Sequence, residues 1–526
     1  MGLQIDRVGP HVAAAQARER GLLWLRRRAA ALADPAAAAY LYSALLALMT
    51  LPVLIWPIPR AADIVNHWAR LTLYGMSAAD PLNALYQVKF AIIPNLGIDL
   101  IYLTLSPLLS AQSVARLSWA LAFWLPAWGA WRLHRALFPA PQLAILLAPL
   151  FSYNLVVTTG LVNYGLGMGL ALIALAWRVR SERRRLWLGI AVLNLVSVAL
   201  LFCHVLALLA FCVAFGLWEA TPRRAEAWRA SLLRGAIAPL HVTLGLALLA
   251  IAERTPGGFA LVGHKWQVLT APVFAATDFD LVFGFAIVGL LVAARLAGGL
   301  SVAPRMGWTL AGFAGMVLLM PSAWGAGNLI DARLAVFWAY LAAAALSWEW
   351  TERQSRIVVG LIVLLSVARV VSVVPGWLAY EAAAASVRNA FAAIPPGARV
   401  LVVRPPGDVC VDPELPLLNN LSTFAVIDRR ALVNTLFADP GMQPARPRDA
   451  AIAAGPKITV SSSWLSPEGR SPLGKLLEAD WAEPYVHWRE HFDTVVAMHG
   501  RCGGALDEPG LERVRVSSVA DVYRLH

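Results

Sequence analysis

The residues best suited to chemistry follow the first long apolar run, in the segment ADIVNHWARL (62–71). Within it, four polar residues stand at positions i, i+3, i+4 and i+7 of a predicted helix: Asp63, Asn66, His67 and Arg70. Residues at this spacing share one face of a helix. A carboxylate, an amide, an imidazole and a guanidinium on one face can bind a phosphate and accept a proton. The simpler alternative is a solvated helix face with a histidine–aspartate pair.

Further polar residues lie in loops that the topology described below places on the same side of the membrane. We predict that they bind substrate together with the first group: Asn95, Asn163, His204, His264, Lys265, Asp331 and Arg333. Taken singly, an amide more simply caps a helix and a lone histidine is more simply structural, while Asp331 and Arg333 can pair with each other. Polar side chains at a membrane boundary are costly, so their common side favours a shared function.

The composition predicts an integral membrane protein. Hydrophobic residues make up 59% of the 526 residues and charged residues only 14%, whereas soluble domains are about half apolar and about a quarter charged. The net charge of +12 comes almost entirely from arginines, which lie in short clusters between apolar runs. Such clusters indicate membrane topology, so we do not expect nucleic acid as a partner.

The apolar runs predict about eleven transmembrane helices, and the arginine clusters orient them. Cytoplasmic loops are rich in Lys and Arg. If the ambiguous run 93–110 does not cross the membrane, every arginine cluster falls on the side of the basic leader, residues 1–37. The N-terminus is then cytoplasmic, and the long first loop, 57–115, lies outside. The predicted spans are 38–56, 116–134, 142–155, 164–178, 187–203, 205–219, 235–252, 280–297, 307–323, 334–350 and 356–375.

The tail, residues 379–526, has the composition of a soluble domain and lies outside in this topology. Alternating and apolar runs predict four strands, and helix-like stretches fall near 379–393 and 472–480, so we expect a small α/β domain. Cys410 and Cys502 would meet an oxidising compartment, where a disulfide between them can form. The strand candidates are 398–408, 424–433, 491–500 and 519–526.

This layout resembles the GT-C class of membrane glycosyltransferases, which use polyprenyl-phosphate-linked sugars as donors. The resemblance consists of a basic N-terminus, one span, a long first outer loop that opens with an acidic residue in ADIVNHWAR, and an outer C-terminal domain. It implies a GT-C-like helical membrane domain in a bacterial-type inner (plasma) membrane. It also implies that Asp63 is the catalytic carboxylate and that an envelope glycan or lipid accepts the sugar.

Two features depart from that class. The second outer loop, 154–163, has no acidic residue, and hard divalent cations prefer carboxylates; the sequence therefore leaves the need for a divalent metal open. The tail also lacks a WWDYG-like motif, which argues against transfer of oligosaccharide to protein asparagine. A donor that enters from the bilayer brings its phosphate to the membrane surface, where Arg70 or Arg333 could hold it, with Lys265 as a point charge.

Three other functions stay open. A transporter or flippase of lipid-linked intermediates would favour inverted repeats and polar residues at the midplane of the membrane, which the sequence does not show. An assembly subunit would use its outer domain to bind a partner. A different extracytoplasmic transferase would need a metal-rich soluble domain or an embedded histidine motif.

Overall fold

The computed structural model describes residues 35–526 apart from short gaps. The predicted leader up to residue 34, the helix-like stretch 472–480, Cys410 and His264 lie outside the described residues. The gaps are 182–185, 224–226, 254–257, 261–264, 298, 326, 349–350, 406–414, 439–440, 456, 458, 466–482 and 504.

Helices dominate the chain up to residue 345. The elements are, in order, α1 (Pro35–Ile55), α2 (Ile64–Leu73), α3 (Pro81–Leu85), β1 (Tyr86–Val88), α4 (Gly97–Leu105), α5 (Ala111–Leu137), a 3₁₀ helix (Leu143–Ser152), α6 (Leu155–Thr159), α7 (Val162–Arg180), α8 (Leu186–Cys203), α9 (Val205–Ala220), α10 (Trp228–Ile237), a 3₁₀ turn (Ala238–His241), α11 (Thr243–Ile251), β2 (Gly258–Ala260), α12 (Lys265–Thr270), a 3₁₀ turn (Ala271–Val273), α13 (Asp280–Leu296), β3 (Leu300–Val302), α14 (Met306–Leu319), β4 (Ala323–Gly325) and α15 (Ile330–Ala345).

Helical structure lies at each of the eleven apolar runs, and several of these helices have the length and composition of membrane spans. Within the described ranges, α1, α7, α8 and α16 (Glu352–Phe391) are long and apolar enough to cross a membrane. The pair formed by α10 with its 3₁₀ turn and α11, bent by 52°, adds a fifth if it forms one span. The chain is therefore a membrane protein with at least several candidate spans.

The run 93–110 contains only one short helix. α4 has nine residues, which extend about 14 Å at 1.5 Å per residue, whereas a hydrocarbon core is about 30 Å thick. α4 is therefore too short to cross. The first loop, 57–115, instead holds the short helices α2, α3 and α4 with β1.

The tail contains a mixed sheet with short helices around it. After β5 (Leu346–Trp348) and α16, the elements are β6 (Arg399–Arg404), α17 (Leu415–Leu418), a 3₁₀ helix (Asn419–Thr423), α18 (Phe424–Arg429), β7 (Leu432–Val433), β8 (Ala445–Pro447), α19 (Ala450–Ala454), β9 (Val460–Ser461), a 3₁₀ turn (Ser462–Leu465), α20 (Glu483–Val486), α21 (Trp488–His491), β10 (Thr494–Met498), β11 (Leu511–Arg515) and β12 (Ala520–Leu525). The sheet has the order β11-β12-β10-β6-β7, and β9 also pairs with β6.

Three of the four predicted strands are confirmed as β6, β10 and β12. The prediction for 424–433 is wrong for most of its length, because Phe424–Arg429 forms α18 and only Leu432–Val433 is a strand. Short apolar runs do not distinguish a strand from a buried helix. Arg430, with φ of +54°, ends the helix in the left-handed region. The predicted start of the tail at 379 falls inside α16, which is continuous over 40 residues.

The tail packs tightly on the first loop. One hydrophobic core contains Val53 of α1, Ile64 of α2 and Val400 of the tail sheet. β1 of the first loop pairs antiparallel with β8 of the tail. Cys502 is disulfide-bonded, whereas Cys203 and Cys212 are free thiols. The tail is therefore fixed beside the residues that follow α1.

Candidate active site

Asp63 lies between the end of α1 and the start of α2, in tight backbone contact with α6. The N–H groups of Ala62 and Asp63 donate to the carbonyls of Thr158 and Thr159, at 3.1 and 3.0 Å. Gly160 ends α6 with φ of +79°, and a Cβ there would lie 2.8 Å from the nitrogen of Asp63. Glycine adopts this conformation at little cost and leaves room for the approach. The loop 154–163 thus holds the backbone of Asp63 in place.

The carboxylate of Asp63 is not used to cap α2. Asp63 occupies the N-cap position but makes no capping hydrogen bond with its side chain, although aspartate commonly does so there. Its Oδ1 accepts a hydrogen bond from Nδ2 of Asn420, at 2.9 Å. Within the part of the chain that the structure describes, Oδ2 accepts no hydrogen bond. One oxygen is therefore available to a substrate.

Burial changes the acidity of this half-buried group. Burial raises the pKa of Asp63 from 3.8 to about 7, because a desolvated carboxylate is less stable when charged. The positive charges of Arg333 and Arg70 and the hydrogen bond from Asn420 act in the opposite direction. Asp63 can therefore accept and release a proton near neutral pH.

His67 is a neutral neighbour with one unpaired nitrogen. Its Nε2 lies 3.2 Å from the carbonyl oxygen of Gly160. Since a carbonyl only accepts, Nε2 carries the proton and Nδ1 is an acceptor. Nδ1 is buried and has no hydrogen-bond partner. Burial, with a contribution from Arg70, lowers the pKa of His67 to about 3, so the ring is uncharged at neutral pH.

Arg333 and His204 form a second cluster, brought together by α15 and the start of α9. Nη1 of Arg333 lies 2.8 Å from Nε2 of His204. The N–H of Leu206 donates to Nδ1 of His204 at 3.0 Å, so this nitrogen is an acceptor. A neutral ring then carries its proton on Nε2. Two donors therefore face each other, and an anionic oxygen would satisfy both.

The surroundings of Arg333 are consistent with an anion site. Its guanidinium lies over the ring of Tyr164, 5.8 Å from the centroid, and the Tyr164 hydroxyl donates to its backbone carbonyl at 2.9 Å. The residue is only 6% exposed, and its Nε is buried without a hydrogen-bond partner. A buried guanidinium with an unpaired N–H is suited to bind phosphate.

Arg70 has a different role. It forms a bidentate ion pair with Asp99 of α4, with Nε–Oδ1 and Nη2–Oδ2 distances of 2.9 and 3.0 Å. Both side chains are fully buried, and the Tyr74 hydroxyl also donates to Asp99. Arg70 thus joins α2 to α4, and its remaining Nη1 is buried and unpaired. Of the two predicted phosphate ligands, Arg333 has the less occupied guanidinium.

Asn95 and Asn163 bond to each other and set the start of α4. Nδ2 of Asn163 donates to the backbone oxygen and Oδ1 of Asn95, at 2.6 and 2.8 Å. Oδ1 of Asn163 accepts from the N–H of Ile98 at 2.7 Å. Asn95 has φ of +75°, a conformation that asparagine tolerates better than most residues. Both amides are therefore used within the protein.

Lys265 and Asp331 form an ion pair between α12 and α15. Nζ of Lys265 lies 2.5 Å from Oδ2 of Asp331 and donates to the carbonyl of Met320 at 2.6 Å. Ser322 also donates to Asp331. The predicted alternative of an Asp331–Arg333 pair is wrong, because Arg333 contacts His204 instead. His264, predicted beside Lys265, lies outside the described residues.

Asn66 points to the tail. Its Nδ2 donates to the carbonyl of Thr435 at 2.8 Å and to Oδ1 of Asn420 at 3.2 Å. Its Oδ1 accepts from the N–H of Phe437 at 2.8 Å. The four residues of the first segment therefore contact three different parts of the protein: the loop 154–163, α4 and the tail. Sequence reasoning missed Asn420, because nothing local to Asn420 indicates a contact with Asp63.

The surroundings of Asp63 offer few ligands for a metal ion. In the described ranges of the chain, no group of three or more His, Cys, Asp and Glu residues could hold a metal ion. The neighbours of Asp63 are an amide and two cationic side chains, whereas hard divalent cations are bound by several oxygen ligands. The arrangement is better suited to an anionic substrate.

The comparisons with known proteins do not extend this picture. No protein-family model matches the chain, and no curated protein shows significant similarity to it.

Proposed function

We propose that this protein is an integral membrane glycosyltransferase. It transfers a sugar from a polyprenyl-phosphate donor to a glycan or lipid acceptor of the envelope, with Asp63 as the catalytic base. The observation that carries the proposal is the half-buried carboxylate of Asp63, which has a free oxygen and a pKa of about 7. A base whose pKa lies near the working pH is both available and strong enough to accept a proton.

The proposed membrane arrangement follows from the arginine clusters. All eleven helical segments cross the membrane, and the N-terminus is cytoplasmic. The 3₁₀ helix Leu143–Ser152 crosses together with α6, and α10 crosses together with α11. The first loop, 57–115, and the tail then lie outside an inner (plasma) membrane. This arrangement places Asp63 just beyond the outer end of α1, where the phosphate of a lipid-linked donor resides. The short α4, which cannot cross a membrane, supports it.

The chemical step moves one proton and one sugar. Oδ2 of Asp63 accepts the proton of the acceptor hydroxyl as its oxygen attacks the anomeric carbon of the donor sugar. The bond between that carbon and the phosphate oxygen breaks, and the polyprenyl phosphate leaves with the electron pair. Its added negative charge is stabilised by Arg333 and by the Nε2–H of His204. Direct displacement of this kind inverts the anomeric centre.

The supporting experiment uses a deletion strain. Mass spectrometry of its envelope glycolipids and polysaccharides would identify a missing sugar, and the strain would then be complemented with wild type, Asp63→Asn or Asp80→Asn. Asp80 is a matched control, because it is a carboxylate of the same loop that caps α3. We expect wild type and Asp80→Asn to restore the sugar and Asp63→Asn to fail at equal insertion.

Restoration by Asp63→Asn would contradict the proposal. It would favour a transporter of lipid-linked intermediates or an assembly subunit, in which Asp63 is structural. A deletion strain with unchanged glycans and an altered set of envelope protein complexes would favour the assembly subunit specifically.

A further inference from the structure

We propose that Asn420 of the tail is a positioning residue for Asp63, so that the membrane domain and the tail build the active site together. The assignment rests on the proposed function, in which Asp63 is the base. It goes beyond that function by giving the tail a direct part in the reaction. In the simpler alternative, the tail only binds an acceptor or a partner.

The orientation of the Asn420 amide is fixed by a chain of hydrogen bonds that starts at the backbone. The N–H of Phe437 donates to Oδ1 of Asn66, so Nδ2 of Asn66 is directed away from that N–H. Nδ2 donates to Oδ1 of Asn420 at 3.2 Å. Asn420 must therefore present Nδ2 to Asp63, where the donor lies 2.9 Å from Oδ1.

This series of hydrogen bonds determines how Asn420 acts on the carboxylate of Asp63. An amide N–H can only donate, so it stabilises Asp63 in its charged form and leaves Oδ2 to the substrate. A hydrogen bond to one oxygen also fixes the rotation of the carboxylate. The direction agrees with the lowering effect of Asn420 on the pKa of Asp63.

The tail is docked firmly enough to hold this contact. β8 pairs with β1 over three residues. The N–H of Val433 donates to the hydroxyl of Tyr86 at 3.0 Å, close to the point where Asn66 bonds to Thr435. Arg446 of the tail forms an ion pair with Glu253 at 2.8 Å. These contacts fix the tail beside the loop that contains Asp63.

Other charged or titratable groups also act on Asp63, and none of them is altered by changing Asn420. They come from α2, α15 and α16: Arg70, Arg333 and Tyr380. His67 of α2 is the nearby titratable group for which no such effect is seen. His67 is neutral, and the Tyr380 hydroxyl donates to the carbonyl of Ala61 at 3.2 Å. A change in the titration of Asp63 after substitution of Asn420 therefore reports the loss of its hydrogen bond.

The test is an infrared titration of the purified full-length protein in lipid nanodiscs, without ligand. The carbonyl stretch of the protonated Asp63 is assigned as the band lost in Asp63→Asn. We expect the midpoint in Asn420→Ala to lie about one pH unit above that of wild type, the effect of one hydrogen bond to a charged group. Asn420→Asp, which has nearly the same shape, should shift it further upward.

The matched control is Asn389→Ala, because Asn389 is an exposed amide of α16 that accepts a hydrogen bond from Arg515 of β11. It should leave the midpoint unchanged. If Asn420→Ala does not fold, Asn420→Leu takes its place, because leucine has nearly the same shape as asparagine and has neither a charge nor a hydrogen-bond donor. A midpoint in the folded Asn420 variants equal to that of wild type would overturn the inference. The proposed function is tested separately: it fails if Asp63→Asn restores the glycan in the deletion strain.

Discussion

Two carboxylate–arginine arrangements lie side by side in this protein and differ in how completely they are satisfied. Asp99 is fully buried and accepts hydrogen bonds from Arg70 and Tyr74 on both oxygens. Asp63 is half-buried and accepts one side-chain hydrogen bond, from Asn420, while Arg333 acts on it only through its charge. A saturated pair holds helices together, whereas a carboxylate with an open oxygen can do chemistry.

The two arginines, Arg70 and Arg333, also differ in how completely they are paired. Arg70 uses two of its nitrogens on one carboxylate, whereas Arg333 faces another donor, the ring of His204. A buried charge without a full set of partners is costly. Such an arrangement therefore points to a ligand that completes it, and an anionic oxygen satisfies Arg333 and His204 together.

The largest expected effect concerns the saturated pair. Asp99→Asn leaves the buried charge of Arg70 without its counter-ion, and breaking one partner of a buried ion pair costs about 3–5 kcal/mol. We expect a large drop in the thermal unfolding midpoint of the purified protein and reduced insertion. The double variant Arg70→Met/Asp99→Leu should recover part of the loss. An unchanged midpoint in Asp99→Asn would show that the pair is not structural.

Asp63→Asn is expected to raise the thermal unfolding midpoint, whereas Asp99→Asn lowers it. The folded-state pKa of Asp63, about 7, lies above its ordinary 3.8, so its contribution to stability is full below about pH 4 and is lost as the pH rises through 7. Asparagine resembles the protonated form. Asp63→Asn should therefore raise the unfolding midpoint at pH 8 and hardly change it at pH 4. A destabilised variant at pH 8 would place Asp63 with the structural carboxylates.

A smaller effect is expected when the proposed phosphate site at Arg333 and His204 is changed. A short-chain polyprenyl phosphate should raise the unfolding midpoint of wild type, because a ligand that binds only the folded state stabilises it. Arg333→Ala should weaken this binding at least about tenfold, or about 1.4 kcal/mol. Arg356→Ala is a matched control, because Arg356 lies in the first turn of α16 with an exposed side chain. Equal binding by wild type and Arg333→Ala would remove Arg333 from the donor site.

The smallest effect belongs to the pair between Arg446 and Glu253, whose side chains are 18% and 37% exposed. Ion pairs in contact with solvent contribute about 1 kcal/mol or less. Arg446→Ala should therefore lower the stability of the protein only slightly and leave glycan restoration intact. Loss of the glycan with a stable protein would mean that docking of the tail depends on this pair more than on β1 and β8.

The sequence predicted those features that depend on local pattern. The apolar runs indicated where helices form, and the spacing of Asp63 and His67 placed them at the start of α2. The interior of the tail was harder, because the run at 424–433 suits both a strand and the helix α18. Eleven spans and the orientation stay predictions, since length and apolarity alone identify fewer helices.

The contacts that define the site could not be predicted, because they join distant parts of the chain. Asn420 lies 357 positions from Asp63, and His204 lies 129 positions from Arg333. In the sequence, Asp99 is only a charge inside the apolar run 93–110. Its pairing with Arg70 depends on how α4 folds back against α2, which no local pattern specifies.

The most direct test of the central claim compares Asp63→Asn with Asp99→Asn in the deletion strain, as restored glycan per inserted protein. We predict normal insertion of Asp63→Asn with at least about a hundredfold less glycan per molecule, the effect of losing a general base. We predict poor insertion of Asp99→Asn, with the molecules that do insert retaining much of their activity. If each inserted molecule of Asp63→Asn restores as much glycan as wild type does, Asp63 is not the catalytic base.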